Sequence, residues 1–379
     1  MKVAIVHDWL TIYGGSESIV RILHDMFPEA PIYTTVYDKK NMPADFAQMD
    51  IRPSFLQRYP FAKKKYTLYL PFMPRAFESF DLSEYDLVIS SNTSCSKGVL
   101  TGARTLHICY CNTPMRYGWD FYHEYIREKG KLGKLLISCM MKKIRLWDRL
   151  SADRVDRFIA NSHNVARRIR KHYGRTSYVI YPPVRTHMFT LGDRKPEEEY
   201  YLAVSRLVPY KRIDLLVEAF SILGLPLKII GDGSEMKELK KKASSNIQFL
   251  GRLEDDMVLK YMQGAKAFLF PGEEDFGITP IEAQACGVPV IAYGRGGALE
   301  TVVDGKTGLF FQEQTKESVM EAVKVFEKMV FQREAIADHA EKFSEERFRK
   351  ELKDYILEEY RKFEERRDNP FYEESKEGS

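Results

Sequence analysis

Short apolar runs alternate with amphipathic stretches along almost the whole chain, and this alternation constrains the fold more strongly than any other feature. In the first cycle, Val3–Val6 predicts a buried strand, and a helix starting near Ser16 follows the pair Gly14-Gly15. Further strands are predicted at Leu87–Ser90, Thr105–Cys109, Arg157–Ala160, Tyr201–Val204, Leu227–Ile230, Ile247–Leu250, Ala267–Phe270 and Val288–Ala292. The sequence therefore predicts an α/β fold.

At 379 residues the chain is long enough for two domains, and one charged, proline-containing stretch near its middle divides the alternating series. We predict a first Rossmann-like domain at 1–185 and a second at 186–344, with a disordered tail at 368–379. A charged helix at 345–367 carries an apolar stripe that can pack on a domain. Because ligands bind at the carboxyl ends of parallel strands, we expect a deep cleft that the two domains share.

Composition and cysteine usage favour a cytoplasmic protein. The chain is 44% hydrophobic and 30% charged, as in globular proteins. No stretch approaches the roughly 18 apolar residues of a membrane span, and the N-terminal apolar run is too short for a signal peptide. The five cysteines are odd in number, which favours reduced thiols. Cys109 and Cys111 would share one face of a strand, but without a second Cys/His pair no zinc site is expected.

The net charge of +4 is unevenly distributed. Segment 52–75 holds six basic residues and no acidic one, interleaved with aromatic residues, and a second basic cluster at 129–149 flanks the apolar run Leu135–Met141. Cations beside aromatic and methionine side chains suit an anionic membrane surface, on which the first domain would dock. The alternative for each segment is a solvated face over ordinary core residues. We find no recognition motif for nucleic acid.

The segment Pro271–Ala283 carries the most specific chemistry. It leaves the strand Ala267–Phe270 through glycines and enters a helix, whose free N–H groups and dipole favour phosphate oxygens. Glu274 and Glu282 lie eight residues apart, and each carboxylate can accept two hydroxyl donors of a sugar or a ribose. Read without this context, both would be surface carboxylates.

Two further loops offer groups for phosphate. Arg206 lies at a strand end and Lys211 near the next helix start, so that together they can neutralise a diphosphate. The alternative for both is a solvated helix start. The Gly14-Gly15 loop is flexible enough to bring backbone N–H groups to the same phosphates, although many strand-to-helix turns hold two glycines.

Over nearly its whole length the chain resembles the retaining glycosyltransferases of family 4, which have the GT-B fold. The resemblance is carried by Glu274-Asp275-Phe276-Gly277-Ile278 with Glu282, by Arg206 with Lys211, by Gly14-Gly15, and by the turn Gly287-Val288-Pro289. Similar bacterial enzymes assemble surface polysaccharides and lipid-linked oligosaccharides, and they include mannosyltransferases. By this resemblance the helix at 345–367 crosses back to the first domain.

The resemblance also implies roles for residues of a donor site. The implied contacts are the diphosphate with Arg206 and Lys211, the transferred sugar and its phosphate with Glu274 and the backbone of Phe276, Gly277 and Ile278, the ribose with Glu282, and the base with Gly251, Arg252 and Leu253. No cofactor is implied, and because no Asp-x-Asp site stands in a donor loop, transfer is expected to need no metal ion.

One position departs from the family pattern. The segment Cys111–Asp120 matches a loop that usually reads Cys-His-Thr-Pro, and Asn112 stands where the histidine is expected. Asparagine keeps a hydrogen-bond donor and acceptor but does not titrate. It is expected either to contact the donor sugar or to cap a turn. His107 is predicted to be a packed core histidine rather than a substitute.

Three further polar residues, Asp8, His163 and Arg116, stand at strand ends or helix starts and are expected to be either structural or acceptor-binding. The predicted function is transfer of a hexose from a nucleotide diphosphate sugar to a glycan or lipid-linked hydroxyl in cell-surface polysaccharide synthesis. The resemblance favours GDP-mannose over a UDP-sugar. The alternatives are a nucleotide-sugar 2-epimerase, a catalytically silent donor-binding subunit, and a membrane-bound scaffold.

Overall fold

A computed structural model describes residues 1–127, 130–192 and 199–368 and contains two parallel sheets. The sheets belong to two units, one formed by Met1–Ile180 with the chain from Arg349 onward, the other by Tyr181–Phe348. The tail predicted at 368–379 lies, beyond Asp368, outside the described residues, and so does Lys129 of the second basic cluster. The second unit begins at Tyr181 rather than at residue 186, because the backbone at Val184 pairs with that of Phe343 and Ser344.

The sheet of the first unit has seven parallel strands in the order β3-β2-β1-β4-β5-β6-β7. The strands are β1 (Val3–His7), β2 (Ile32–Thr34), β3 (Ile51–Pro53), β4 (Leu87–Asn92), β5 (Leu106–Cys111), β6 (Arg157–Ala160) and β7 (Tyr178–Val179). The helices are α1 (Gly15–Met26), α2 (Met73–Glu78), α3 (Tyr122–Arg127), α4 (Lys131–Ser151) and α5 (His163–Tyr173). Strands β1, β4 and β5 are buried at every position, as central strands covered on both faces are.

Helix α5 has a side-chain cap at its start and a glycine after its last residue. The hydroxyl of Ser162 accepts a hydrogen bond from the N–H of Val165 at 3.0 Å, so Ser162 is the N-cap of α5. The helix ends at Gly174, whose φ of 65° is left-handed and suits glycine. All five thiols are free, and Cys109 and Cys111 pack into one cluster on the same face of β5.

The second unit holds six parallel strands in the order β10-β9-β8-β11-β12-β13. The strands are β8 (Tyr201–Val204), β9 (Leu227–Ile230), β10 (Ile247–Gly251), β11 (Ala267–Phe270), β12 (Val290–Tyr293) and β13 (Gly308–Phe311). The helices are α6 (Ile213–Leu223), α7 (Met236–Lys242), α8 (Asp255–Gly264), α9 (Ile278–Ala285), α10 (Ala298–Thr301), α11 (Lys316–Phe326), α12 (Arg333–Ala340) and α13 (Glu345–Asp368). The strand predicted from Val288 starts later, because the N–H of Val288 closes the turn after α9 by donating to Ala283.

The part of α13 from Arg349 onward belongs to the first unit. Arg349 pairs with Asp25 at 2.7 Å, and Tyr355 stacks on Tyr178 with ring centroids 4.8 Å apart. The chain thus returns to its first sheet at its C-terminal end. None of the described helices combines the length and the apolar character needed to cross a bilayer.

Candidate active site

The strand order of the second unit places two predicted motifs beside each other. Strands β8 and β11 are hydrogen-bonded neighbours, and the direction of strand addition reverses between them. The loop after β8 carries Arg206 and Lys211, and the loop after β11 carries Glu274. Because the two strands are parallel, both loops leave the same edge of the sheet. Open α/β sheets bind ligands at such a reversal point.

The two loops are in direct contact. A Cβ atom at Gly272 would lie 3.2 Å from the Cα atom of Lys211, so glycine permits the close approach of the two backbones. The Lys211 ammonium forms an ion pair with Oε1 of Glu274, and both side chains are partly buried. A cation and a carboxylate from distant parts of the sequence are therefore held at the sheet edge.

Tyr210 links the two cations of the first loop. Its hydroxyl accepts a hydrogen bond from Nη2 of the exposed Arg206 at 2.6 Å, and its ring centroid lies 5.4 Å from Nζ of Lys211. The contact with Lys211 is within the range of a cation–π interaction. Tyr210 has no role predicted from the sequence, because a tyrosine between a proline and a lysine carries no specific signal.

Helix α9 begins at the end of the glutamate loop without a side-chain cap. Its N-cap, Gly277, has a φ of 93°, which requires glycine. The N–H groups of the first turn therefore have no intrahelical partner and form an anion-binding end. Gly297 fixes this loop from the opposite side, since its N–H donates to the carbonyl of Glu274 at 2.8 Å and its missing Cβ would lie 2.2 Å from the Cα of Phe276.

Glu282 lies on the buried face of α9. Its Oε1 accepts a hydrogen bond from Nη2 of Arg185 at 3.1 Å, and the other arm of this guanidinium pairs with Asp255. Burial raises the pKa of Glu282, and the charge of Arg185 opposes that rise. Arg185 is not recognisable from the sequence, because 97 positions separate it from Glu282 and no motif joins them.

The loop predicted to lie along the base starts at Gly251, the last residue of β10. Gly251 has a φ of 72°, and its carbonyl accepts a hydrogen bond from the N–H of Gly231 at 2.8 Å. The side chain of Arg252 is exposed, and α8 starts at Asp255. The predicted base-binding residues thus form a turn between β10 and α8, at the same sheet edge as the cation and glutamate loops.

The predicted donor residues of the first unit have structural partners. Gly14 is extended and caps α1, and a Cβ at Gly14 would lie 3.3 Å from Oε2 of Glu17. The carboxamide of Asn112 donates to Oγ of Ser91 at 3.1 Å, and the backbone carbonyl of Asn112 accepts from Nδ2 of Asn161 at 2.8 Å. These bonds join the carboxyl ends of β4, β5 and β6. A contact of Asn112, Gly14 or Gly15 with a donor stays a prediction.

Asp8 and His107 belong to the framework of the first unit. The buried carboxylate of Asp8 accepts hydrogen bonds from the backbone N–H groups of residues 93–96, at 2.6 to 2.9 Å, which supports its structural reading. His107 is buried with Nε2 2.8 Å from Oγ of Ser90, and burial lowers its pKa to about 4. His107 is therefore confirmed as a core histidine. Arg116 lies over the ring of Phe121, and His163 starts α5.

The basic segments have both buried and exposed side chains. Within segment 52–75, Tyr66 and Tyr69 pack against the core, whereas Phe61 and Phe72 are exposed. In α4, Met141 and Ile144 are buried. The exposed apolar side chains of the two segments are Tyr59, Phe61, Leu68, Phe72, Leu135, Leu136, Leu146 and Leu150. Both segments therefore pack some apolar side chains into the core and expose others, so neither is simply a solvated face or simply part of the core.

Two Rossmann-type sheets, one with cation and glutamate loops at its reversal point, define a GT-B fold. A family profile described as Glycosyl transferases group 1 matches residues 188–343, and one described as Glycosyltransferase Family 4 matches residues 13–188. The chain belongs to the family 4 glycosyltransferases.

Known proteins share parts of the sequence and the whole fold. An uncharacterized glycosyltransferase of Methanocaldococcus jannaschii is 30% identical over 44% of this chain and 50% of its own. A GDP-mannose-dependent monoacylated alpha-(1-6)-phosphatidylinositol monomannoside mannosyltransferase of Corynebacterium glutamicum is 42% identical over 28% of this chain and 32% of its own. The matches thus span half or less of these relatives. An Anabaena protein solved with UDP, Alr3699/HepE, has a TM-score of 0.71 at 17% identity, covering 94% of this chain and 100% of that chain.

Proposed function

We propose that this protein transfers a hexose from a nucleotide diphosphate sugar to a hydroxyl group, and that the second unit binds the donor. The observation that carries the proposal is the ion pair between Lys211 and Glu274 at the reversal point of the sheet. This pair places a cation for the diphosphate beside a carboxylate for sugar hydroxyls. The uncapped start of α9 adds N–H groups for the phosphate nearest the sugar.

Transfer follows from this arrangement of charge. Arg206, Lys211 and the helix N–H groups stabilise the negative charge that grows on the leaving diphosphate, which is the main electrostatic contribution. The bond from the anomeric carbon to phosphate oxygen breaks as the acceptor oxygen bonds from the same face, and the acceptor proton passes to the departing phosphate. Configuration is retained. When the donor binds, Lys211 exchanges Glu274 for phosphate, which releases the carboxylate to sugar hydroxyls.

GDP-mannose is the first candidate donor and a UDP-hexose the second. The Corynebacterium relative is named as GDP-mannose-dependent, whereas the Anabaena protein of the same fold was solved with UDP. For the acceptor we propose a glycan or lipid-linked hydroxyl in cell-surface polysaccharide synthesis. We further propose that two cations and a helix start suffice to hold the diphosphate without a metal ion. Loss of activity in EDTA with recovery in Mn²⁺ would contradict that last point.

A calorimetric screen of UDP, GDP, UDP-glucose, UDP-GlcNAc and GDP-mannose tests the donor site. We expect micromolar binding of one nucleotide family, weakened at least about tenfold in Glu282→Ala and in Lys211→Ala. Product analysis then separates the alternatives: a 2-epimerase converts the donor without an acceptor, and a silent subunit binds it without turnover. A scaffold binds none of the ligands, and that result would refute the donor site.

We also propose a cytoplasmic protein that docks peripherally on the anionic inner face of the membrane. Exposed apolar side chains of segment 52–75 and of α4 lie among exposed lysines, including Lys63, Lys64 and Lys65. Such side chains enter the interfacial layer while the cations meet anionic headgroups. Docking would bring the protein to a lipid-linked acceptor.

A further inference from the structure

The carboxylate of Glu282 is held by one arm of the forked guanidinium of Arg185, a residue outside the family 4 motifs. Arg185 places Nη2 3.1 Å from Oε1 of Glu282 and directs Nη1 to Asp255. Its guanidinium carbon lies 5.2 Å from the ring centroid of Phe189, and the N–H of Phe189 donates to the Arg185 carbonyl at 2.9 Å. Nη1 also lies 3.7 Å from Sδ of Met188, so the guanidinium has four contacts and the backbone of Arg185 lies in a closed turn.

The charge of Glu282 needs such a partner. Its side chain is 8% exposed, and a buried carboxylate without a counter-charge takes up a proton rather than staying ionised. An ionised carboxylate accepts hydrogen bonds from two hydroxyls, whereas a protonated one offers a donor of its own. The charge of Arg185 therefore favours the ionised form of Glu282, which only accepts hydrogen bonds.

The contact with Arg185 also determines which carboxylate oxygen of Glu282 is available to a ligand. Oε1 is occupied by Arg185, and among the described residues none donates a hydrogen bond to Oε2. Holding Oε1 in place also orients Oε2, because both oxygens belong to one planar carboxylate group. A pair of adjacent hydroxyls would meet an oriented acceptor oxygen.

We propose that Arg185 is a positioning residue for ribose recognition, which acts by orienting the Glu282 carboxylate toward the ribose hydroxyls of the donor nucleotide. The inference rests on the proposed function, because it assigns a ribose to Glu282. Arg185 itself does not touch the nucleotide. Through Asp255, at the start of α8, the same guanidinium is tied to the segment that follows Gly251 and Arg252.

Calorimetry with UDP and GDP and with their 2′-deoxy and 3′-deoxy forms tests this role. The variants are Arg185→Gln, which removes the charge, Arg185→Lys, which keeps it, and Asp255→Asn as a matched control that removes the other partner of the fork. We expect the wild-type protein to prefer the ribonucleotide by about tenfold, the value of one hydrogen bond to a charged group. In Arg185→Gln this preference should fall to less than threefold, while the deoxynucleotides keep their affinity.

Arg185→Lys should recover at least half of the wild-type difference in binding free energy between the ribonucleotide and its deoxy forms. Asp255→Asn should retain the wild-type preference for the ribonucleotide. Circular dichroism and thermal unfolding verify that each variant is folded. If Arg185→Gln weakens ribo- and deoxynucleotides equally, Arg185 is merely structural and the inference fails while the donor site stands. If the wild-type protein binds neither UDP nor GDP, the proposed function fails and the inference falls with it.

Discussion

Lys211 and Glu274 form an ion pair across 63 positions of sequence, and the pair joins the two loops that flank the reversal point of the second sheet. Neither residue is fully buried, so each remains accessible to a ligand. In the proposed donor complex, the diphosphate would compete with Glu274 for the ammonium group of Lys211. Binding of phosphate would then coincide with release of the carboxylate.

Replacing Lys211 by alanine should weaken UDP or GDP binding by about ten- to one hundredfold, because a charge-assisted hydrogen bond to phosphate is lost. Binding of uridine or guanosine, which lack phosphate, should not change. Calorimetry with each pair of ligands measures both effects. Lys241→Ala, at an exposed lysine paired with Glu238, controls for the loss of one positive charge from the same unit. Equal weakening of nucleoside and nucleotide would contradict a phosphate role.

Glu282 should make the second unit less stable as the pH rises. Because burial raises its pKa above the ordinary value of 4.5, the ionised form is disfavoured in the folded state. The contribution of Glu282 to the free energy of unfolding is therefore fully present below pH 4.5. It is lost as the pH rises through the pKa that Glu282 has in the folded state. Glu282→Gln removes this loss, so the melting temperature of the variant relative to wild type should increase between about pH 4 and pH 7.

Thermal unfolding of both proteins across that range measures the effect, and Glu238→Gln, at an exposed carboxylate of the same unit, is the control. Glu282→Gln should also bind the nucleotide more weakly than the wild-type protein. A residue that binds a ligand can destabilise the folded protein, so replacing it can raise stability and lower function together. A pH-independent difference in melting temperature would show that ionised Glu282 carries no penalty.

Periodicity predicts those parts of the fold that depend on local sequence. The bounds of β6, β8, β9 and β11 are as predicted, because each is a short apolar run between polar turns. Strands β2, β3, β7 and β13 are missed, since runs of two to four residues carry too little period to be recognised. The motifs proposed to bind the donor are visible in the sequence because their residues are close together and specific in type.

Long-range partners are not visible in a single sequence. Arg185 and Glu282 are 97 positions apart, and neither the spacing nor the residue types indicate that they meet. The same holds for Asp8, whose carboxylate organises a loop more than 80 positions away. Such contacts depend on how sheet edges and helices pack, which only the folded chain specifies.

Removing exposed apolar side chains from the basic segments should weaken vesicle binding. Leu135→Ser with Leu136→Ser in α4, or Phe61→Ser in segment 52–75, each removes a side chain that is more than 60% exposed. Phe61→Ser should weaken sedimentation with phosphatidylglycerol vesicles by at least about tenfold, because inserting one large apolar side chain stabilises binding by about 1.5–3 kcal/mol. The double leucine variant, which removes two side chains, should weaken it further. Val330→Ser, at an exposed valine of the second unit, should have no effect. Equal binding by all variants, or none by the wild-type protein at low salt, would refute docking.

The first unit contains an ion pair, Lys97 with Asp148, whose side chains are wholly buried. Burial lowers the pKa of Lys97, but the attraction of Asp148 more than compensates and raises it overall. The carboxylate also accepts hydrogen bonds from Nε1 of Trp119 at 2.7 Å and from the hydroxyl of Tyr173 at 3.3 Å. Asp148 therefore ties α4 to the loop after β4, to the segment before α3 and to α5.

Asp148→Ala should lower the free energy of unfolding by about 3–5 kcal/mol, because it leaves the Lys97 charge buried without a partner. Urea denaturation measures the loss. Asp153→Ala, which breaks an exposed pair with Arg149 in the turn after the same helix, should cost less than about 1 kcal/mol. Combining Lys97→Met with Asp148→Ala should cost less than the sum of the two single changes, since removing both charges relieves the unpaired one. Strict additivity in this cycle would mean that the two groups do not interact.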